Sequence, residues 1–308
     1  MKKIPVLVLA FNRSEHVAQA MKAIREYRPE RLYLACDGPR VYINGEKEAV
    51  EITRKTMIDA IDWPCQIQTL FRDKNLGCAH AVFEAITWFF NQEEYGIICE
   101  DDVILGVDFF NLCEVLLPRY AREDRIMEIV SQNHSYRTDI PNTYVYSYRE
   151  HCWGWASWAR AWKKMDMTMS AVPGLTYRKL WKRYEIIEGV IRMHKWKSGY
   201  KHISTLNSWA TRWNLCIQVN DGLTIIPGVN LSKNIGTDGG AHYQKGDIDP
   251  YANLNIGKLE WPILYNDTME IDKKQAKMDY EDYMRLRIMG IKKKIYNIFE
   301  RNERTNSE

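Results

Sequence analysis

The sequence predicts an α/β protein built on a mostly parallel sheet flanked by helices. Three observations point there. Strand-like and helix-like segments alternate through the first 130 residues. The first strand is a continuous apolar run, as a buried strand is. Polar and charged residues gather just after the strands, where ligands collect in such sheets because loops converge and helix N-termini offer free N–H groups.

Ile4 to Phe11 reads as the first strand, and Ser14 as the cap of a helix reaching about Tyr27. Arg31 to Cys36 is a second strand that ends in Asp-Gly-Pro. Gly45 to Asp62 reads as a helix, Cys65 to Phe71 as a strand, and Leu76 to Phe90 as a helix entered through Asn75. Tyr95 to Cys99 is a fourth strand and runs directly into Glu100, Asp101 and Asp102. From about residue 131 the character changes to long loops, a tryptophan-rich stretch at 152–162, and helices around 176–220. A strand-like LTIIP at 223–227 leads into NIGTDGGAH at 234–242, whose glycines suit a loop bent tightly around a ligand. The last stretch, 285–308, spaces Ile288, Ile291, Ile295, Ile298 and Phe299 as a helix does. The chain therefore divides into halves at 1–130 and 131–265 of one unit, with a basic helical tail at 266–308.

Bulk properties narrow the partners. The 308 residues with 45% hydrophobic content suit a globular protein with a real core. A net charge of +3 is too small to argue for nucleic acid. Seven cysteines, an odd number with no CxxC pair, suit buried thiols in a reducing compartment and predict a cytoplasmic protein. The opening MKKIPVLVLAFNR is too short in its apolar run to span a membrane, which takes roughly 20 residues.

The acidic triplet Glu100, Asp101 and Asp102 is the most informative chemical feature. Carboxylates at the end of a buried strand are costly unless something positive sits beside them. Magnesium or manganese would resolve the repulsion, since such hard cations take one or two carboxylates together with substrate phosphates. Capping of the next helix, or exposure to water, is the plainer account of the same residues. Asp37 is placed to accept a hydrogen bond from a base N–H, although Asp-Gly is also an ordinary turn. Arg72, Lys74 and Asn75 precede a helix entered by Gly77, a place to hold phosphate, and His80 lies one turn into that helix. Trp153, Trp155, Trp158 and Trp162 are candidates for stacking on sugars, against the default of core packing. The basic amphipathic tail suits an anionic membrane surface or a solvated end equally well.

Taken in order, PVLVLAFNR, CDG, FRDKNLGCAHAV, GIICEDDVIL, HCWGWASWARAW, NSWATRW and GLTIIPGVNLSKNIGTDGGAH resemble a bacterial branch of nucleotide-diphospho-sugar transferases near glycosyltransferase family 2. They are similar also to N-acetylglucosaminyltransferase I, which likewise carries Glu-Asp-Asp. The resemblance covers roughly residues 4–243 and implies the GT-A, Rossmann-like fold. It implies that Phe11, Asn12, Arg13 and Asp37 hold the nucleoside and that Lys74, Asn75, Gly77 and His80 lie near the donor. Asp102 would bind Mn2+ or Mg2+ directly, with Glu100 and Asp101 on ribose or metal-bound water. Trp153, Trp155 and Trp209 fall on the acceptor side.

The implied activity is inverting transfer from a nucleotide sugar, UDP-linked by analogy, to a glycan or lipid-linked acceptor in surface polysaccharide or lipopolysaccharide assembly. Residues 1–130 would then hold the donor and 131–265 shape the acceptor side. Where the resembling enzymes carry an aspartate as general base, this chain has Asn207, whose amide cannot take the proton. Asp238 and His242 are the substitutes the sequence offers. Asn207 also motivates a second reading, a catalytically silent nucleotide-sugar-binding protein. A nucleotidyltransferase is disfavoured because the early glycine-rich basic signature is missing.

Overall fold

The computed structural model describes residues 2–134, 137, 139, 140, 143–236, 251 and 254–305, with 291–305 as helix backbone only. The first strand β1 (Val6–Ala10) is followed by α1 (Ser14–Tyr27), β2 (Arg31–Cys36), α2 (Glu46–Asp59), β3 (Gln66–Phe71), α3 (Cys78–Phe90) and β4 (Tyr95–Glu100). After β4 come β5 (Val103–Leu105), α4 (Val107–Arg119), β6 (Ile126–Val130), β7 (Tyr144–Ser147) and β8 (Trp155–Trp158). The remainder is α5 (Ala159–Trp162), α6 (Tyr177–Leu180), α7 (Ile186–Lys201), α8 (Trp209–Val219), β9 (Leu223–Pro227), β10 (Ser232–Asn234) and α9 (Lys273–Thr305).

Eight strands form one sheet in the order β3-β2-β1-β4-β8-β6-β9-β7. The half from β3 to β4 is parallel throughout, and β6 and β9 form a further parallel pair. β8 enters antiparallel between β4 and β6, and β7 closes the far edge antiparallel to β9. The chain thus has a Rossmann-like α/β fold with a large, mostly parallel central sheet flanked by helices.

Side-chain alternation along the strands builds a core on each face of the sheet. Val6 and Val8 of β1 point to one face, where α1 (Val17, Met21, Ile24) and α4 (Phe109, Phe110, Leu116) cover them. Leu7 and Leu9 point to the other, against α3 (Ile86, Phe89) and α8 (Trp213, Ile217). In α1 the buried positions Val17, Met21 and Ile24 fall on one stripe because they are spaced by four and three residues. That helix ends at Arg28, left-handed at φ 54°, whose N–H returns to the carbonyl of Ile24 at 2.8 Å.

Several sequence expectations need correction. Ser14 is the first helical residue and not the cap; Arg13 holds the cap position with extended φ and no side-chain cap bond. The tryptophan-rich stretch, given no element from sequence, forms β8 and α5, and Trp155, Trp158 and Trp162 are buried. Trp155 stacks on Trp209 with ring centroids 5.6 Å apart, and both are buried. Their indole faces are therefore taken up by packing, the default reading for Trp155, and leave no ring open for stacking on a sugar.

The expected tail is helical, but its first turns are docked onto the sheet edge. Asp279 of α9 accepts a hydrogen bond from Ser147 of β7 at 2.6 Å. No helix among the described residues is long and apolar enough to cross a membrane. Their cysteines are all free, and Cys36, Cys99, Cys113 and Cys216 are buried.

Candidate functional site

From β1 the chain winds outward through β2 to β3, then returns to place β4 on the other side of β1. The carboxyl ends of β1 and β4 therefore flank a topological switch point, where open α/β sheets leave a crevice. Leu9 pairs with Glu100 across these strands, so the next residues of each face one another. Arg13, after β1, donates to Asp101 and to Asp102, the latter at 2.9 Å. Burial, followed by the charges of Asp102 and Asp101, pushes Glu100 up to about 8, against the pull of Arg13 and a hydrogen bond from Trp209. Asp101 is 3% exposed, and burial pushes it up to about 6 although Arg13 holds it down. Burial opposes the Arg13 charge, yet the two aspartates outweigh it and raise the guanidinium's pKa.

One guanidinium facing three acids leaves the cluster short of positive charge. No group of three or more potential metal ligands occurs among the described residues. The donor set therefore does not form a closed protein cage. It fits a hard cation that takes one or two carboxylate oxygens and draws its remaining ligands from phosphate and water.

A second strand pair covers the acids. β10 runs antiparallel to β5, and the N–H of Ile235 donates to the carbonyl of Asp102 at 2.8 Å. Gly236 follows so closely that a β-carbon there would lie 2.2 Å from Oδ2 of Asp102, which only glycine avoids. Nε2 of His16 lies 3.2 Å from the carbonyl of Ile235. The glycine-rich segment thus enters over the acids; Asp238 and His242 lie outside the described residues.

On the other side of Arg13, Asn12 donates to Glu46 at 3.2 Å, and Glu46 is buried under a two-pronged pair with Arg40. The Arg40 guanidinium sits 5.5 Å from the centre of the Phe11 ring. Arg40 and Glu46 escaped the sequence reading, since neither belongs to a motif and acids are common at helix starts.

Asp37 is engaged by backbone: it accepts from Gly38 at 2.9 Å, Leu76 at 3.0 Å and Gly77 at 3.1 Å. Asn75 adds a bond to the carbonyl of Gly38 at 2.8 Å. Asp37 therefore fastens the loop carrying Lys74 and Asn75 to the end of β2. Lys74 and His80 are exposed, while Arg72 is paired with Glu84 at 2.9 Å and so is not a free phosphate ligand.

Gly77, at φ 79°, opens α3 in a conformation that favours glycine. Oδ1 of Asn207 accepts from the N–H of Ala79 at 2.9 Å, so this amide satisfies an end of α3 from across the site. Trp153 is half-buried and sits 5.9 Å from the ring of His134, which stacks on Tyr251 at 3.8 Å. Of the three acceptor-side tryptophans expected from sequence, Trp153 alone keeps a partly open ring.

No protein-family model matches the chain, and no curated protein matches it. Among solved structures it is similar to HddC from Yersinia pseudotuberculosis, at 13% identity and a TM-score of 0.29, over 41% of this chain and 57% of that one. A second structure of that protein, complexed with GMP-PN, gives 10% identity and 0.30 over 51% and 77% of the two chains. UDP-glucose pyrophosphorylase complexed with UDP-glucose gives 13% and 0.26 over 48% and 63%. This chain thus spans little more than half the length of the first HddC structure. Likenesses this partial leave the geometry of the acidic crevice as the basis for a functional reading.

Proposed function

We propose that this chain is a metal-dependent glycosyltransferase that moves a sugar from a nucleoside-diphosphate donor, UDP-linked, to a glycan or lipid-linked acceptor in surface polysaccharide or lipopolysaccharide assembly. The observation that carries the reading is the excess of carboxylate at the switch point, where Glu100, Asp101 and Asp102 face Arg13 as their cation. A nucleoside diphosphate delivered with Mn2+ or Mg2+ supplies the missing positive charge and the missing ligands together.

In this reading Asp102 holds the metal, and Glu100 and Asp101 contact ribose or metal-bound water. When bound, the metal supplies charge stabilisation for the departing diphosphate. The nucleoside lies over the loops after β1 and β2, against Phe11, Asn12 and Arg13, with Arg40 behind the ring. Asp37 contributes by fixing the loop that presents Lys74, Asn75 and Gly77 to the donor. Trp153 is the acceptor-side aromatic. Asn207 is occupied at the start of α3 and carries no basic lone pair, so the acceptor proton goes to Asp238 or His242. The protein works in the cytoplasm, with α9 resting on the inner membrane face.

The test follows UDP-sugar consumption by mass spectrometry, with and without a chelator. Metal-dependent loss of one sugar nucleotide supports the reading. Asn207 favours one alternative, a nucleotide-sugar-binding protein without turnover; donor binding with no consumption on any acceptor would establish it.

A further inference from the structure

A cavity of about 710 Å³ opens between α7, the loop leading to α8, and α9, within the range of small-molecule sites. Among the described residues its lining holds His194, Lys195, His202 and Arg287 and no acidic side chain. Among the described residues, Lys195 and Arg287 make no ion pair. Partial burial lowers the pKa of Lys195, the charge of Glu150 raises it, and Arg192 and Arg287 lower it further.

The remaining wall is mixed, with Val190, Ile191 and Leu206 beside the hydroxyls of Ser198, Thr205 and Thr211. On α7 the stripe through Val190 and Ile191 continues one turn back to Ile186 and Ile187, which are 65% and 55% exposed. Trp181, 47% exposed and stacked on Tyr177, lies against Gly189 of the same helix. A basic floor thus leads along α7 to an exposed apolar lip, the complement of an anion joined to a hydrocarbon.

The cavity adjoins the donor crevice. Leu206 lines it, and the next residue, Asn207, satisfies the start of α3 beside Gly77. The loop between α7 and α8 thus joins the cavity to the start of α3, the helix entered by Gly77.

We propose that the cavity binds the phosphate head of an amphiphilic acceptor, with its hydrocarbon laid along Ile186 and Ile187. This rests on the glycosyltransferase reading and deepens it by making the acceptor a lipid phosphate.

The test is calorimetry on the full chain with three probes: inorganic phosphate, decyl phosphate, and phosphatidylcholine vesicles with or without phosphatidylglycerol. Decyl phosphate is expected to bind at least about tenfold more tightly than inorganic phosphate, because methylenes are buried with it. Lys195→Glu combined with Arg287→Glu should weaken decyl phosphate at least about tenfold, and Ile187→Ser should weaken it while leaving inorganic phosphate unchanged. Should the double reversal perturb folding, Lys195→Gln and Ile187→Ser carry the test, both at exposed positions.

Equal binding of decyl and inorganic phosphate would overturn the proposal, as would unaltered decyl phosphate binding in these variants. Phosphatidylglycerol-dependent vesicle binding and decyl phosphate binding that both survive all the variants would assign the amphiphile to the α9 surface and overturn the proposal. Binding of UDP with Mn2+ is measured in parallel. Its absence with decyl phosphate still bound removes the donor reading, and with it the ligand's role as acceptor, but leaves the amphiphile site; the reverse removes only this inference.

Discussion

The guanidinium of Arg13 bridges Asp101 and Asp102, lying 2.9 Å from Oδ2 of the latter, and so joins the ends of β1 and β4 where the strand order turns back. It is the internal counter-charge to a cluster that buried Asp101, half-buried Asp102 and Glu100 would otherwise make untenable.

Removing Arg13 should therefore destabilise the protein in the absence of metal. Arg13→Ala leaves carboxylates without their partner, a loss of roughly 2 to 3 kcal/mol after allowing for the 28% exposure of the arginine side chain. Added Mn2+ should raise the melting temperature of the variant more than that of the wild type. An unchanged melting temperature without metal would show that the cluster needs no counter-charge.

Asp37→Asn separates fastening from ligand binding. The amide keeps one acceptor oxygen where the carboxylate offers two to Gly38, Leu76 and Gly77, so a loss of about 1 to 3 kcal/mol is expected in urea unfolding. An unchanged unfolding midpoint with lost nucleotide binding would instead assign Asp37 to the base.

For Asn207, two substitutions should diverge. Asn207→Ala removes the acceptor for Ala79 and should cost about 0.5 to 2 kcal/mol of stability. Asn207→Asp keeps that acceptor and adds a negative charge at the N-terminus of α3, so stability should be held or improved. Thermal denaturation of the pair decides; equal melting temperatures would deny the cap.

His151 gives a pH dependence. Burial, with Arg149 and Arg192 adding positive charge, pushes it down to about 3. Its unfolded value is about 6.5. Between these values the unfolded chain binds more protons than the native state. The contribution is present above about pH 6.5 and is lost as pH falls towards about 3. His151→Asn should flatten this part of the acid limb of a stability–pH curve, and identical limbs would refute the assignment.

The parallel half of the sheet was legible because β1, β2 and β4 are apolar runs ending in polar residues, and LTIIP proved to be β9 to the residue. β8 was not. Its four residues are all buried, so WASW shows no alternation to mark a strand, and its pairing between β4 and β6 is a tertiary fact. The site divided the same way. Acids after β4 announce themselves by sequence position, whereas the Arg40–Glu46 pair and the reach of Asn207 to α3 depend on loops meeting in space. Ser14 misled because cap preference is local, and the turn was taken one residue earlier, at Arg13.

The most direct test is titration calorimetry of UDP, GDP and their common sugar conjugates, with and without Mn2+, on the wild type and on Asp102→Ala. The expected result is Mn2+-dependent binding of a UDP conjugate that the substitution abolishes. Binding of none of these ligands, or binding indifferent to both metal and Asp102, would contradict the assignment of the acidic crevice to a nucleotide-sugar donor.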